Sequence, residues 1–276
     1  MGRESVSWID ENHQLHGGQI KFAVLVNIMN VLVIDIGGTH VKLLATGHAV
    51  RREFVSGSGL TPKRLLAGVR KLAGDWPYDA VSIGYPGPVV RNRPSVDPWN
   101  LGKGWAGLNF ASLFKCPVKV MNDAAMQALG SYKHGKMLFL GLGTGLGSAL
   151  VVEGMVVPME LAHLPYKKAT FEDYLGIRGL KKFGKKKWRR FVTDAVKRLV
   201  AALEPDEVVL GGGNVHNLKV LPPGCRPGDN NNAFAGGFRL WEQAEKDRAA
   251  GPTQGQDTSR NRKPTKVARR TKPKTI

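Results

Sequence analysis

The chain is short of cysteine. Its 276 residues hold two, Cys116 and Cys225, too few for a disulfide framework or a cysteine-rich zinc module. That usage suits a reducing, cytoplasmic compartment. A long clean apolar run is also missing. The best candidate, residues 20–36 (IKFAVLVNIMNVLVIDI), is interrupted by Lys21, Asn27, Asn30 and Asp35 and falls short of the ~20 apolar residues of a spanning helix. Read as a secretion signal, it has no basic leader and no small-residue cleavage site. No GxxxxGKS or GxxxxGKT occurs, which excludes a P-loop. Acid is scarce: 22 Asp and Glu against 41 Lys and Arg give a formal charge of +19. Of this, +13 falls within residues 29–246, so the excess belongs to the body as well as the tail. A basic body implies anionic partners such as nucleotide, polyphosphate, nucleic acid or a membrane surface, and charge alone does not choose among them.

Glycine, by contrast, is abundant, at 34 residues with 42% apolar content, a soluble α/β composition for one large or two modest domains. Residues 31–35 form an apolar, β-branched run ending in a carboxylate. Gly37, Gly38 and Thr39 follow, and HVKLLAT resumes strand character, which predicts a hairpin. Residues 60–74 place Leu65, Leu66, Val69 and Leu72 on one helical face behind Thr61 and Pro62, a cap and first-turn pair. Short strands are predicted over 81–85 and 118–121, with a helix over 123–132. The strand–glycine–strand pattern then recurs: residues 137–140, the turn GLGTGLG, residues 148–152, and a further strand after Glu153 and Gly154. This weak duplication predicts two similar lobes facing a cleft. A helix is expected over 188–203, a strand over 208–210 entering Gly211, Gly212 and Gly213, and a short last helix over 238–245.

The stretch DIGGTHVK is the most informative. Glycines at a hairpin turn let backbone N–H groups approach phosphate oxygens with no Cβ in the way. Asp35 at the strand end suits Mg²⁺ held through water, while the Thr39 hydroxyl and Lys42 ammonium add phosphate contacts. GLGTGLG fails as a dinucleotide fingerprint, because Leu146 or Leu150 stands where the third glycine belongs and the sequel SALVVEG reads as strand rather than helix. What remains is a second glycine hairpin, Gly143, Thr144 and Gly145, with a hydroxyl at its tip. Gly211, Gly212 and Gly213 make a third close-approach turn. A plain structural turn explains any one of these, but three at strand ends point to an extended phosphate chain.

The order DIGGTHVK, GYPGPV, VMNDA, GLGTGLGSALVVEG, ELAHLP and VVLGGGN resembles the ROK (repressor, open reading frame, kinase) family over residues 31–246, and more closely its polyphosphate/ATP glucokinase branch. The resemblance implies an α/β, two-lobed, actin-like fold with an interlobe cleft. It also implies a hexose kinase acting on the 6-hydroxyl of glucose or a related hexose, with ATP or polyphosphate as donor and Mg²⁺ as cofactor. Asn122 and Asp123 end a strand and begin a helix, where both residue types are favoured caps. The family's Asn-Asp pair adds a role for Asp123 as general base, since the attacking hydroxyl must be aligned and shed its proton. The resemblance further implies sugar contacts for Asn100, Asn122, Asp123, Glu160, His163 and Glu172. Ala162 replaces the glycine usual between Glu160 and His163. The CxCGxxGCxE zinc run of many relatives is missing from LPYKKATFEDYLG, so no structural zinc is expected.

Residues 181–190, KKFGKKKWRR, hold seven cations in ten. This is either a solvated helix start or a track for a polyanion, bound with the salt dependence of counterion release. The expected organisation is an extension over 1–28, which Met29 marks as a possible alternative start, then a smaller lobe over 29–121 with 233–246 packing back on it. A larger lobe over 122–232 and a basic, disordered tail over 247–276 complete it. A homodimer is the expected assembly, with no membrane attachment and no specific nucleic-acid site. The rivals are a kinase for mannose, fructose or an amino sugar, and a non-catalytic ROK-type sugar-binding regulator. The repressor form of that family carries a helix-turn-helix before its kinase-like part, for which residues 1–30 are too few and too β-like. The basic residues of 260–274 suit nonspecific nucleic-acid contact.

Overall fold

The computed structural model of the chain describes residues 29–229 and 231–249. The expected extension over 1–28 and most of the expected tail, 250–276, lie outside the described residues. Two five-stranded sheets carry the architecture. In the first, β1 (Val31–Ile36) pairs antiparallel with β2 (His40–Ala45), and β2 with β3 (Arg52–Val55). After helix α1 (Pro62–Ala73), strand β4 (Ala80–Tyr85) returns parallel to β1. A small ribbon of β5 (Val89–Val90) and β6 (Arg93–Pro94), then the short helix α2 (Phe110–Phe114), lead to β7 (Val118–Asn122), parallel to β4. The sheet order is therefore β3-β2-β1-β4-β7. All six residues of β1 and of β4 are buried, as parallel strands covered on both faces must be.

The second sheet repeats that plan. Helix α3 (Asp123–Ser131) precedes the hairpin of β8 (Lys136–Leu142) and β9 (Leu146–Val152), and β10 (Met155–Met159) adds antiparallel to β9. A small ribbon, β11 (Pro165–Tyr166) with β12 (Ala169–Thr170), then α4 (Phe171–Leu175) and α5 (Ile177–Leu203), cross to β13 (Glu207–Gly211). That strand runs parallel to β8 and to β14 (Cys225–Pro227). The order β10-β9-β8-β13-β14 mirrors the first sheet strand for strand. Each sheet has its own core: Leu32, Ile34, Leu65, Ile83 and Trp105 in the first, Leu138, Leu140, Trp188, Val192 and Leu210 in the second.

Several elements depart from the sequence reading. Helix α5 starts at Ile177, well before residue 188, and is two helical pieces joined at Gly184, whose φ of 71° is left-handed and open to glycine without strain. The KKFGKKK run concealed its first piece, because a glycine inside a pattern reads as a break. Strands β3 and β14, the two small ribbons and the short helices α2 and α4 were not anticipated. The last helix, α6 (Asn232–Ala249), begins six residues before the predicted 238 and continues through 247–249, where the sequence reading placed disorder.

Helix α6 crosses α3 at a close approach built from glycine. A Cβ on Gly130 would strike the Asn232 carbonyl, and one on Gly236 the Met126 carbonyl. Helix propensity argues against Gly236 and Gly237 in a helix interior by ~1 kcal/mol each, but the crossing admits nothing larger. The same helix meets the first sheet: Ser82 Oγ donates to Gly237 O at 2.6 Å, and Trp241 Nε1 donates to Ser82 Oγ at 2.8 Å. Arg239 donates to the carbonyls of Leu129 (2.7 Å) and Tyr132 (2.9 Å), satisfying the last turn of α3 with a cation where the helix dipole favours one. Among the described residues no helix is long and apolar enough to cross a membrane.

Candidate active site

The turn between β1 and β2 is closed by backbone. Gly37 N donates to His40 O at 2.9 Å, and Ser56 holds the other side, Oγ to Gly37 O at 2.7 Å and N to Thr39 O at 2.9 Å. The Asn100 side chain lies against Gly38 where a Cβ would sit. Its loop is fixed by Asp97, whose Oδ1 accepts the N–H groups of Trp105 (2.6 Å) and Ala106 (3.0 Å). These bonds hold that carboxyl below the usual carboxylate range. Asp35, paired in register with Lys42, is only 6% exposed, and the Lys42 ammonium stands 3.8 Å away. Burial pushes the Asp35 carboxyl up, while Lys42 and Arg51 partly offset it.

The second and third turns are stitched to one another. Gly143 N donates to Gly145 O at 3.1 Å, Asn214 Nδ2 donates to Gly143 O at 2.8 Å, and Asn214 N donates to Leu142 O at 2.8 Å. Gly212, at φ 84°, lies so close that a Cβ would meet the Leu142 backbone at 2.6 Å. The start of α5 joins the same knot, with Ile177 N donating to the carbonyls of Gly143 (3.1 Å) and Thr144 (3.2 Å). At Gly143 and Gly213 the space a Cβ would take is open, so an oxyanion can approach the backbone there, reaching the Gly143 N–H only in exchange for its bond to Gly145 O. Gly211 is the last residue of β13, packed on Phe139. Thr144 sits exposed at the tip.

Asp123 stands at the junction of the two halves. It opens α3, whose cap is Asn122, with Oδ1 accepting Ala125 N at 3.1 Å. The Asp123 carboxyl accepts the Ala124 N–H at 2.8 Å, and across from it Gly147 of β9 approaches so near that a Cβ would stand 2.6 Å from that of Ala124. Burial first, then the neighbouring charges of Asp35 and Glu160, push the Asp123 carboxyl up to about 7, against the smaller pull of backbone N–H donors. A carboxylate with that proton affinity is half-ionised near neutrality, the condition for accepting a proton and later releasing it.

The remaining candidates fall around this centre in different ways. Glu160 and His163 pair at 3.6 Å, both well exposed, on a short 3-10 turn (Leu161–His163) pinned by Ser148. That hydroxyl donates to Met159 O at 2.8 Å and accepts Leu161 N at 3.2 Å. Asn122 is committed to the fold at both ends of its amide, since Nδ2 also donates to Gly87 O at 3.2 Å. Glu172 lies against Gly145, beside the second glycine turn, and is held by Arg178 at 3.0 Å. Sequence reasoning missed Asn214, Ser148, Asp97 and Arg178. Only Asn214, directly after three glycines, had a local signal.

Among the described residues no group of three or more His, Cys, Asp or Glu side chains is placed to hold a metal ion by itself. One buried carboxylate beside glycine turns does fit Mg²⁺, which keeps most of its waters and binds through one or two carboxylates together with substrate phosphates.

No protein-family model matches the chain. The polyphosphate glucokinase of Mycobacterium leprae is 28% identical over 201 residues, which cover 65% of this chain and 62% of that protein. The matched region is thus less than two thirds of that relative's length. The crystal structure of an inorganic polyphosphate/ATP-glucomannokinase from Arthrobacter sp. strain KM superposes with a TM-score of 0.67 at 22% identity, covering 78% of this chain and 99% of that one. A ROK family glucokinase from Streptomyces griseus, in complex with glucose and AMPPNP, gives a TM-score of 0.66 at 16% identity, covering 78% and 99%. The chain is a sequence relative of polyphosphate glucokinases and is built on the two-lobed, actin-like fold of the ROK sugar kinases.

Proposed function

We propose that the chain is a hexose kinase that transfers a phosphoryl group from ATP or inorganic polyphosphate to the 6-hydroxyl of glucose or a related hexose, with Asp123 as general base. The observation that carries this reading is the Asp123 carboxyl, raised to about 7 at the start of α3 and flanked by Asp35 and the glycine hairpin of β8 and β9.

The sugar lies over Asp123, with Glu160, His163 and Asn100 as hydroxyl partners and Asn122 holding the loop beneath. As the hydroxyl oxygen bonds to the terminal phosphorus, its proton passes to the Asp123 carboxylate, and the bond from phosphorus to the bridging oxygen breaks. ADP, or a polyphosphate one unit shorter, leaves. Little other covalent chemistry is required, so the protein contributes position and charge. The amides at 143–145 and 211–213 and the Thr39 and Lys42 side chains bind the donor oxygens. Mg²⁺, held through Asp35, supplies neutralising charge when bound. Glu172 and Arg178 steady the second turn.

The test is a matrix of glucose, mannose, fructose and amino sugars against ATP and polyphosphate with Mg²⁺, following sugar phosphate. Glucose phosphorylation by at least one donor is the expected result, with turnover lowered about 10²–10⁴-fold in Asp123→Asn and an unchanged fold by circular dichroism. Sugar binding without transfer from either donor overturns the kinase reading in favour of a sugar-binding regulator. Near-normal turnover of Asp123→Asn removes the base.

A further inference from the structure

Helix α5 carries a charge pattern that the catalytic site does not use. Between Asp173 and Asp194 the chain has no acidic residue, and eight cations fall in that interval. Two are engaged: Arg178 pairs with Glu172 and Asp173, and Arg189 Nε donates to Asn217 O at 2.6 Å. Among the described residues no carboxylate forms an ion pair with Lys181, Lys185, Lys186, Lys187 or Arg190, Lys182 acts on the Asp173 carboxyl only at longer range, and all six are exposed. On the second piece of α5, Lys186 and Arg190 stand four apart, as do Arg189, Thr193 and Lys197, which puts like charges side by side on one helix face, and Lys182 ends the first piece across the bend at Gly184. That repulsion weakens the helix unless an anion relieves it.

Both ends of the row are defined. The near end is the knot at the second glycine turn, where Ile177 N meets the Gly143 and Thr144 carbonyls. The far end is an open groove of about 410 Å³ lined by Arg189, Arg190, Thr193, Asp194 and Lys197. Its one acid is already compensated, because Asp194 Oδ2 accepts the Tyr166 hydroxyl at 2.7 Å and pairs with Arg198 at 3.1 Å. At 1.5 Å per residue, Ile177 and Lys197 lie up to about 30 Å apart, somewhat less for the bend at Gly184. A single nucleotide does not reach along that length.

The aromatics of the segment select among polyanions. Trp188 is fully buried, Phe183 stacks on Tyr174 with centroids 5.0 Å apart, and Phe191 packs edge-on to Tyr166 and Tyr174. Phe183 and Phe191 are half-buried and Lys182 lies over the Phe183 ring at 5.4 Å, so no fully exposed ring stands along the row, whereas single-stranded nucleic acid is held by bases stacked on such faces. An anion with charge at every unit and no bases fits better.

We propose that the exposed row of α5, from Lys182 through Lys186 and Arg190 to the groove at Lys197, is a docking track for linear polyphosphate. It holds the body of the chain while its terminal phosphoryl lies at the glycine turns. The track rests on the donor site assigned above, and it makes long-chain polyphosphate a better donor than tripolyphosphate.

The experiment measures binding in protein carrying Asp123→Asn, so that turnover does not intervene, with and without the combined changes Lys182→Ala, Lys186→Ala and Arg190→Ala. The full chain is used and melting is checked for each protein. The three changes weaken long-chain polyphosphate binding at least tenfold and tripolyphosphate binding much less. They also make the dependence of log affinity on log salt shallower by about 2, for three released counterions on a flexible chain. Undiminished binding of long-chain polyphosphate overturns the track and assigns affinity elsewhere, for example to the basic residues of 250–276, which the variant keeps. An equal loss of affinity for a single-stranded oligonucleotide also overturns it, leaving a generic polyanion surface. Failure of the donor reading is seen separately, as wild-type protein that binds polyphosphate and transfers from no donor.

Discussion

The two sheets share one plan and divide the labour. Asp35 and Lys42 face each other across the hairpin of the first sheet, and Gly141 and Gly147 occupy the matching register of the second. The first hairpin therefore holds a buried carboxylate with a half-buried lysine beside it, and the second carries no side chain at the matching pair. The reason for the second lies outside it: α3 presses on β9 at Ala124, and α5 and Asn214 close around the turn. A repeated local pattern specifies a glycine bend closed by its own backbone, and the elements packed on each bend decide whether it carries charge or gives way to a neighbour.

The division is tested most severely by Asp35→Asn. If only the first hairpin anchors Mg²⁺, turnover falls about a hundredfold, while the melting temperature stays level or rises because a buried carboxylate has been removed. Steady-state kinetics over a magnesium titration, with thermal melts, reads both. Unchanged turnover equates the two hairpins. Gly147→Val addresses the other half. Its side chain has to displace Ala124, so stability drops by about 1–3 kcal/mol in urea unfolding, and a smaller loss than that means α3 moves freely against β9. The gentlest effect is in pH dependence. Asp123 binds its proton more tightly folded than unfolded, so between about pH 4 and pH 7 the native state holds the extra proton and stability declines as pH rises. Asp123→Asn is thus more stable than wild type at pH 8, with the difference shrinking toward pH 4. A constant difference across that range shows that the carboxyl is not raised.

Much of this molecule is legible locally. The hairpins, the cap at Thr61 and the start of α3 at Asp123 each follow from side-chain period and turn chemistry within a few residues. The elements that escaped are those whose reason is distant. The first six residues of α6 contradict helix propensity through Gly236, and become helical because the Met126 carbonyl occupies the space of a side chain. Strand β14 has three residues and is defined by its pairing with β13. In the candidate site the sequence supplied Asp35, Asp123, Glu160 and His163 by motif order. Beyond the position of Asn214 after three glycines, it did not indicate that this amide would stitch two turns or that Ser148 would pin the Glu160 loop, because hydroxyl and amide partners are chosen by fold rather than by spacing.

The sequence alone determined where the backbone bends and which acid begins α3, since glycine, β-branched runs and caps act over a few residues and need no partner. Tertiary structure decided what that acid is. The proton affinity of Asp123 comes from exclusion of water and from the charges of Asp35 and Glu160, brought close by packing two sheets around one helix.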